Sequence, residues 1–102
     1  MIHVIVTVEL QEGRRDDFLE EFHKVVPLVL EEDGCISYGP AVDADTGIDA
    51  QVTAGDNVLT IVESWESLDH LKDHLVAEHM VAYRPRVKEM IRQSTLQVLQ
   101  SV

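Results

Sequence analysis

IHVIVTVEL, residues 2–10, alternates: Ile2, Val4, Val6, Val8 and Leu10 fall on one side of a two-residue repeat, and His3, Ile5, Thr7 and Glu9 fall on the other. A period of two is that of a β-strand, whose successive side chains point to opposite faces. One face is wholly apolar and the other mixed, so everything that follows must supply a layer to cover the apolar side.

The next segment does so. After the turn at Gln11 to Gly13, the residues Phe18, Phe22, Val25, Val29 and Leu30 recur at three- and four-residue steps, the stripe of an amphipathic helix. Asp16 and Asp17 lie near its positive N-terminal end, Pro27 inside it predicts a kink, and Gly34 is its expected C-terminal stop. CISYGPAV, residues 35–42, reads as a second strand weakened at its far end by Gly39 and Pro40. Residues 43–57 are polar, broken by glycines and free of basic residues, which predicts a long mobile loop.

VLTIVESW, residues 58–65, is the third strand, with Leu59, Ile61, Glu63 and Trp65 on one face. Ser64 or Ser67 caps a short helix that turns Leu68, Leu71 and Leu75 inward. A further helical stripe runs over Met80, Tyr83, Val87, Met90 and Ile91, where Pro85 suits a first helical position better than an interior one. STLQVLQ, residues 94–100, alternates again as a fourth strand. The order β-α-β-β-α-β is that of a single α+β domain over residues 1–102, a ferredoxin-like sandwich with both helices on one face of an antiparallel four-stranded sheet. Its other face is bare, and pairing with a second copy of the chain through that face is the simplest way to cover it.

Composition narrows the function classes. The chain has 102 residues, 45% hydrophobic and 26% charged, as an ordinary globular domain does. No apolar run reaches the roughly 18 residues of a membrane-spanning helix. The apolar N-terminus lacks a basic leader and a cleavage site, so it reads as mature structure, and the expected location is cytoplasmic. The formal net charge of −11 disfavours nucleic acid and anionic membrane as partners, since both are bound through Lys and Arg contacts to phosphate. The one basic patch, Arg84, Arg86, Lys88 and Arg92, reads either as a helix exterior paired with acids or as a stabiliser of an anionic ligand.

HLKDHLVAEHM, residues 70–80, holds three of the five histidines. His70 and His74 have the i, i+4 spacing of two metal ligands, but no cysteine pair or HExxH motif accompanies them, and no metal site is expected. On a helical wheel His74 borders the Leu68, Leu71 and Leu75 stripe, whereas His70 points away and reads as solvated. DADTGID, residues 43–49, has a calcium-loop look, yet the twelfth position is Ala54 where a glutamate is needed. Cys35 reads as a small residue at a strand start with nothing to activate its thiol. Glu63 is conspicuous: a carboxylate between Ile61 and Trp65 on an apolar face requires a partner, whether an arginine of the basic patch, a histidine or a donor from a second subunit.

Gly34-Cys35-x-x-Tyr38, Glu63-x-Trp65 and His74-Leu75-x-x-x-His79 together resemble the antibiotic biosynthesis monooxygenase family over nearly the whole chain. The resemblance implies a dimeric α/β barrel in which two open sheets face one another, with a small-molecule pocket in each subunit. Several such proteins oxidise quinols or polyketide phenols with dioxygen and no bound cofactor; others degrade haem or isomerise small signalling molecules. The asparagine and iron-binding histidine of the haem-degrading branch are expected near Val6 and Arg84, and neither is present.

What the resemblance implies for this chain is a cofactor-independent monooxygenase acting on a small quinol-like or phenolic substrate. Its alternatives are an isomerase of an enolisable metabolite and a non-catalytic small-molecule-binding dimer. Cofactor-free oxygenation needs a base, and His74 and His79 match the family positions. Trp65 and Glu63 would line the barrel interior, Trp65 as an aromatic wall or as a core anchor, with Tyr38 a hydrogen-bond donor. His3 and Thr7, on the mixed face of the first strand, would add polar groups to the pocket.

Overall fold

The computed structural model describes residues 1–102 as β1 (Ile2–Leu10), α1 (Arg15–Leu30), β2 (Cys35–Ala41), β3 (Val58–Trp65), α2 (Leu68–Leu75), α3 (Glu78–Val87) and β4 (Ile91–Gln100). A 3-10 turn, Lys88–Met90, joins α3 to β4. The strands form one antiparallel sheet in the order β2-β3-β1-β4, the α+β arrangement the alternation predicts. No helix is long and apolar enough to cross a membrane.

Register decides what the helices cover. Ile2, Val4, Val6 and Val8 of β1 stand opposite Trp65, Glu63, Ile61 and Leu59 of β3, and Tyr38 of β2 stands opposite Glu63. Residues opposite one another in an antiparallel pair share a face. That face packs against Phe18, Phe22, Val25 and Val29 of α1, Leu71 of α2, and Met80, Tyr83 and Val87 of α3, all buried. At its centre Phe22 stacks on Tyr38 with ring centroids 5.5 Å apart, and Tyr83 meets Phe22 edge-on at 6.0 Å. Pro40 is tolerated within β2 because β2 is an edge strand with one side free of ladder hydrogen bonds.

Three expectations change. The last helix ends at Val87, and Ile91 belongs to β4, paired with Leu10 across a register shift between Glu9 and Leu10. Pro85 lies inside α3; its missing N–H weakens the helix within its last turn, and pairing with β1 claims the following residues. Pro27 sits inside α1, where the sequence places it. The connection 42–57 is closed on itself: the Asp43 carboxylate accepts the amides of Ala54 and Gly55 at 2.9–3.0 Å, which holds its pKa below the ordinary value.

β4 is left exposed past Ile91. Leu96 and Val98 (54% and 44% exposed) share the helix-side face through pairing with Val6 and Val4. Leu99, opposite His3, lies on the open face with Val62, which stands opposite Ile5.

Gly34 closes the α1–β2 turn at φ +77°, and its carbonyl accepts the Glu66 amide at 2.9 Å. A Cβ there would lie 2.2 Å from His70 Cγ, whereas Gly13, at φ +76°, has open space around it. Gly13→Ala therefore costs only the left-handed backbone, about 1–2 kcal/mol. Gly34→Ala should cost clearly more in urea denaturation; equal losses would show that the His70 contact is easily relieved.

Candidate active site

Three helix ends meet at one carboxylate. Ser67, in extended conformation before α2, accepts the His70 amide on its hydroxyl at 3.3 Å, and the same hydroxyl lies 2.7 Å from His70 Nδ1. His70 is thus half-buried over Gly34 with Nε2 3.8 Å from Asp33, a structural residue instead of a solvated one. One turn on, His74 is buried with Nδ1 2.7 Å from Glu32 Oε2. His79, in the first turn of α3, brings Nε2 to 2.8 Å from the same oxygen. Glu32 itself follows the C-terminal end of α1.

An ionised carboxylate only accepts, so both imidazoles donate to Glu32 from N–H groups. Neutral His74, protonated on Nδ1, then presents a bare Nε2, which lies 4.0 Å from Glu63 Oε1. That is too long for a direct hydrogen bond and suits a small closing motion or a bridging water. Burial lowers the His74 pKa below its usual value, with the hydrogen bond to Glu32 opposing it. Burial pushes Glu63 up to about 7, opposed by the Trp65 hydrogen bond and reinforced by the charge of Glu32. At neutral pH the pair is therefore poised to hold one proton between an imidazole and a carboxylate.

The walls around this pair are aromatic. Trp65 Nε1 donates to Glu63 Oε1 at 2.9 Å, and the Trp65 ring lies against His74 with centroids 4.8 Å apart. Tyr38 meets the His74 ring edge-on at 5.4 Å. Burial and the nearby Glu63 raise the Tyr38 pKa far above the usual phenol value, so its hydroxyl stays protonated. Cys35, half-buried, has its thiol pushed up by burial and by Glu32 and Glu63, and it is held in the unreactive form.

Tyr38, Glu63, Trp65, His74 and His79 are thus brought together, and Glu32 joins them. The face that carries Glu63 and Trp65 is the one the helices cover, not the open face that would look into a barrel between two sheets. His3 and Thr7 lie across the sheet from the cluster. His3 Nδ1 is 3.2 Å from Ser64 Oγ and its Nε2 2.8 Å from Ser101 Oγ, and Thr7 stands between Thr60 and Thr95.

A cavity of about 840 Å³ opens on the helix-covered face beside β4, and none of His3, Thr7, Tyr38, Glu63, Trp65, His74 and His79 lines it. Phe18, Ile61, Tyr83 and Val87 make its apolar walls, with Arg84 and Lys88 adding positive charge. The loop 42–57 takes no part in it. Ring contacts run from Tyr83 to Phe22 to Tyr38 to His74, linking cavity and cluster. Arg84 adds a second link, donating from Nη2 to the carbonyl of Leu75 at 2.6 Å. Of the residues missed in the sequence, Arg84 and Lys88 were signalled by the basic patch; Glu32 and Tyr83 had no signal beyond an acidic run and a helical stripe.

The Glu63 pKa sets a pH dependence. Its folded value, about 7, lies above the ordinary carboxyl value of 4.5, so the folded chain binds this proton more tightly than the unfolded one. The stabilisation is complete below the unfolded value and is lost as pH rises through about 7. A shift of this size is worth on the order of 3 kcal/mol. Glu63→Gln should remove that slope between pH 5 and 8 in denaturation curves; an unchanged slope assigns it to other groups.

The family model for antibiotic biosynthesis monooxygenases matches residues 1–86. "Probable quinol monooxygenase YgiN" of Escherichia coli strain K12 is 38% identical over 102 residues, covering 98% of this chain and 97% of that protein. The crystal structure of an antibiotic biosynthesis monooxygenase has the same fold with a TM-score of 0.80 at 21% identity, covering 100% of this chain and 99% of the other. Rv0793 from Mycobacterium tuberculosis also has a TM-score of 0.80, at 24% identity, with 99% and 94% covered. Both the family match and the similarity to YgiN extend across the strands and helices that build the cluster, and the chain belongs to the antibiotic biosynthesis monooxygenase family.

Proposed function

We propose that the protein is a cofactor-independent monooxygenase that takes a small quinol or phenol into the cavity walled by Phe18, Ile61, Tyr83 and Val87. The observation that carries this reading is the pairing of an apolar cavity bearing Arg84 and Lys88 with a neutral buried histidine linked to it by aromatic contacts. The family membership and the name of the YgiN relative point the same way.

In this reading the cationic side chains favour the substrate anion, and His74 takes its proton, with Glu63 tuning the imidazole and Glu32 holding it. His79 shares the Glu32 carboxylate and connects the network to solvent. The hydroxyl of Tyr38, kept protonated, can donate to an oxyanion or pass a proton towards His74. The electron-rich anion reduces dioxygen: one oxygen atom enters the ring, the other leaves as water with two substrate hydrogens, and the quinol supplies all four electrons. No external reductant is needed.

A non-catalytic binding protein is the second reading, and the sealing of His74 beneath Trp65 favours it. Oxygen uptake over a panel of hydroquinones separates the two. Turnover should fall about 100-fold or more in His74→Ala, the size of a lost general base. No uptake with any quinol, or uptake untouched by the substitution, would overturn the base assignment. Turnover that persists without oxygen would point to an isomerase instead.

The same reading makes the chain a homodimer through the open sheet face, where Ile5, Val62 and Leu99 offer apolar surface. Light scattering should give twice the chain mass for the native protein and a shift towards the single-chain mass for a Val62→Asp, Leu99→Asp double variant.

A further inference from the structure

The hydrogen-bonded cluster has a second chemical capacity. The ligand atoms of Glu32, His74 and His79 all lie within 4.8 Å of one another, and they come from three separate chain segments whose positions the core fixes. The two nitrogens are 2.7 and 2.8 Å from the same Glu32 oxygen. Donors about 2.0–2.2 Å from a tetrahedral zinc ion stand roughly 3.4 Å apart, so the cluster needs to spread by about half an ångström at each contact to admit one. Glu32 lies after the end of α1, and the two nitrogens already lie within 4.8 Å of one another.

Two further features match a metal site rather than a plain hydrogen-bond triad. A ligating histidine is almost always backed by a group that takes the proton on its other nitrogen. His74 Nε2 has such a group in Glu63, 4.0 Å away and itself fixed by Trp65. An entry path is also needed, and His79 supplies it: its side chain is 24% exposed while that of His74 is 2% exposed.

We infer that Glu32, His74 and His79 form a binding site for a borderline divalent cation of the zinc class, with Glu63 orienting His74 from behind and a fourth position open on the His79 side. Two imidazoles and one carboxylate suit zinc, cobalt or nickel, whereas magnesium and calcium need more oxygen donors than the cluster has. The net charge of −11 favours cations at the surface from which the site is entered. No redox step is involved. The cation takes the lone pairs of His74 Nδ1 and His79 Nε2, and the proton each carries in the hydrogen-bonded cluster moves to its other ring nitrogen, which for His74 is Nε2, facing Glu63.

That tautomer change has a consequence for the proposed reaction, and it alone rests on the reading of His74 as base. A bound cation places the proton on the nitrogen that the base needs bare, so occupancy switches the base off. Binding and inhibition are therefore separable properties of one site.

Metal-free protein titrated with Zn²⁺ against a chromophoric chelator should bind one ion per chain. Glu32→Gln and His79→Gln should each weaken binding at least tenfold, and Glu63→Gln about tenfold, as loss of an outer carboxylate does. His23→Gln, an exposed histidine on α1, should leave it unchanged. His79 is partly exposed, so His79→Gln keeps the test open should Glu32→Gln fail to fold, and circular dichroism reports on both. Co²⁺ in place of Zn²⁺ should give the intense visible bands of a four-coordinate ion, lost in His79→Gln. Absence of saturable binding, or binding unchanged in both His79→Gln and Glu63→Gln, overturns the site whatever the oxygen-uptake assays show.

Discussion

A single carboxylate oxygen, Glu32 Oε2, receives N–H groups from two imidazoles, and through them the end of α1 is tied to the end of α2 and the start of α3. Helix ends leave backbone groups unsatisfied and are the places where helices fray. Here the three ends are crossed by charge-assisted hydrogen bonds, which are stronger than neutral ones. The same bonds fix the ring orientation of His74, and so decide that its free nitrogen faces Glu63 and not the core aromatics. Position and tautomer of His74 follow from where Glu32 sits, while burial lowers its pKa against the pull of that carboxylate.

The burial of Glu63 follows from strand alternation. Val4 and Glu63 are opposite one another and both face the helices, so the carboxylate cannot reach water without flipping the whole strand. Its cost is met in part by the Trp65 N–H and in part by holding a proton near neutral pH. A leucine at this position would escape the desolvation cost but leave the buried Trp65 N–H without its acceptor. A chain that keeps a carboxylate there keeps a titratable partner for His74, and both the base and the cation readings depend on having one.

Much of this was legible in the sequence because it is local. The alternation of residues 2–10 and 58–65, the stripe from Phe18 to Val29, the Ser67 cap and the Gly34 stop are all periodic or single-residue signals, and each is found where expected. The parity of β1 also separates His3 and Thr7 from the helix-covered face; placing them beside Trp65 followed from assuming a pocket on the open face. Glu32 was illegible for a different reason. Its partners lie 42 and 47 residues away, no repeat links them, and in sequence it is one acid in the run Glu31, Glu32, Asp33. The helical wheel also misled for His70, because a wheel ranks faces by the helix's own stripe, while His70 is covered by the turn around Gly34.

The cavity and the buried cluster are distinct, and the proposed oxygen chemistry has to bridge them. An imidazole exposed to bulk water has a pKa set by solvent; that of His74, sealed beneath Trp65 and Tyr38, is lowered by burial, with the hydrogen bond to Glu32 opposing. Such a base can be neutral and proton-hungry at the pH where an exposed imidazole is partly charged. The cost of sealing is access, and the tyrosines bear on it. Every fully buried side-chain polar atom has a hydrogen-bond partner, while neither the Tyr38 nor the Tyr83 hydroxyl has one within the chain, so both reach accessible space. Tyr83 also lines the cavity, and Tyr38 touches His74. In the proposed reaction they offer hydroxyls able both to donate and to accept between cavity and cluster. Burial keeps both phenols protonated, so they can hand a proton on without holding a charge.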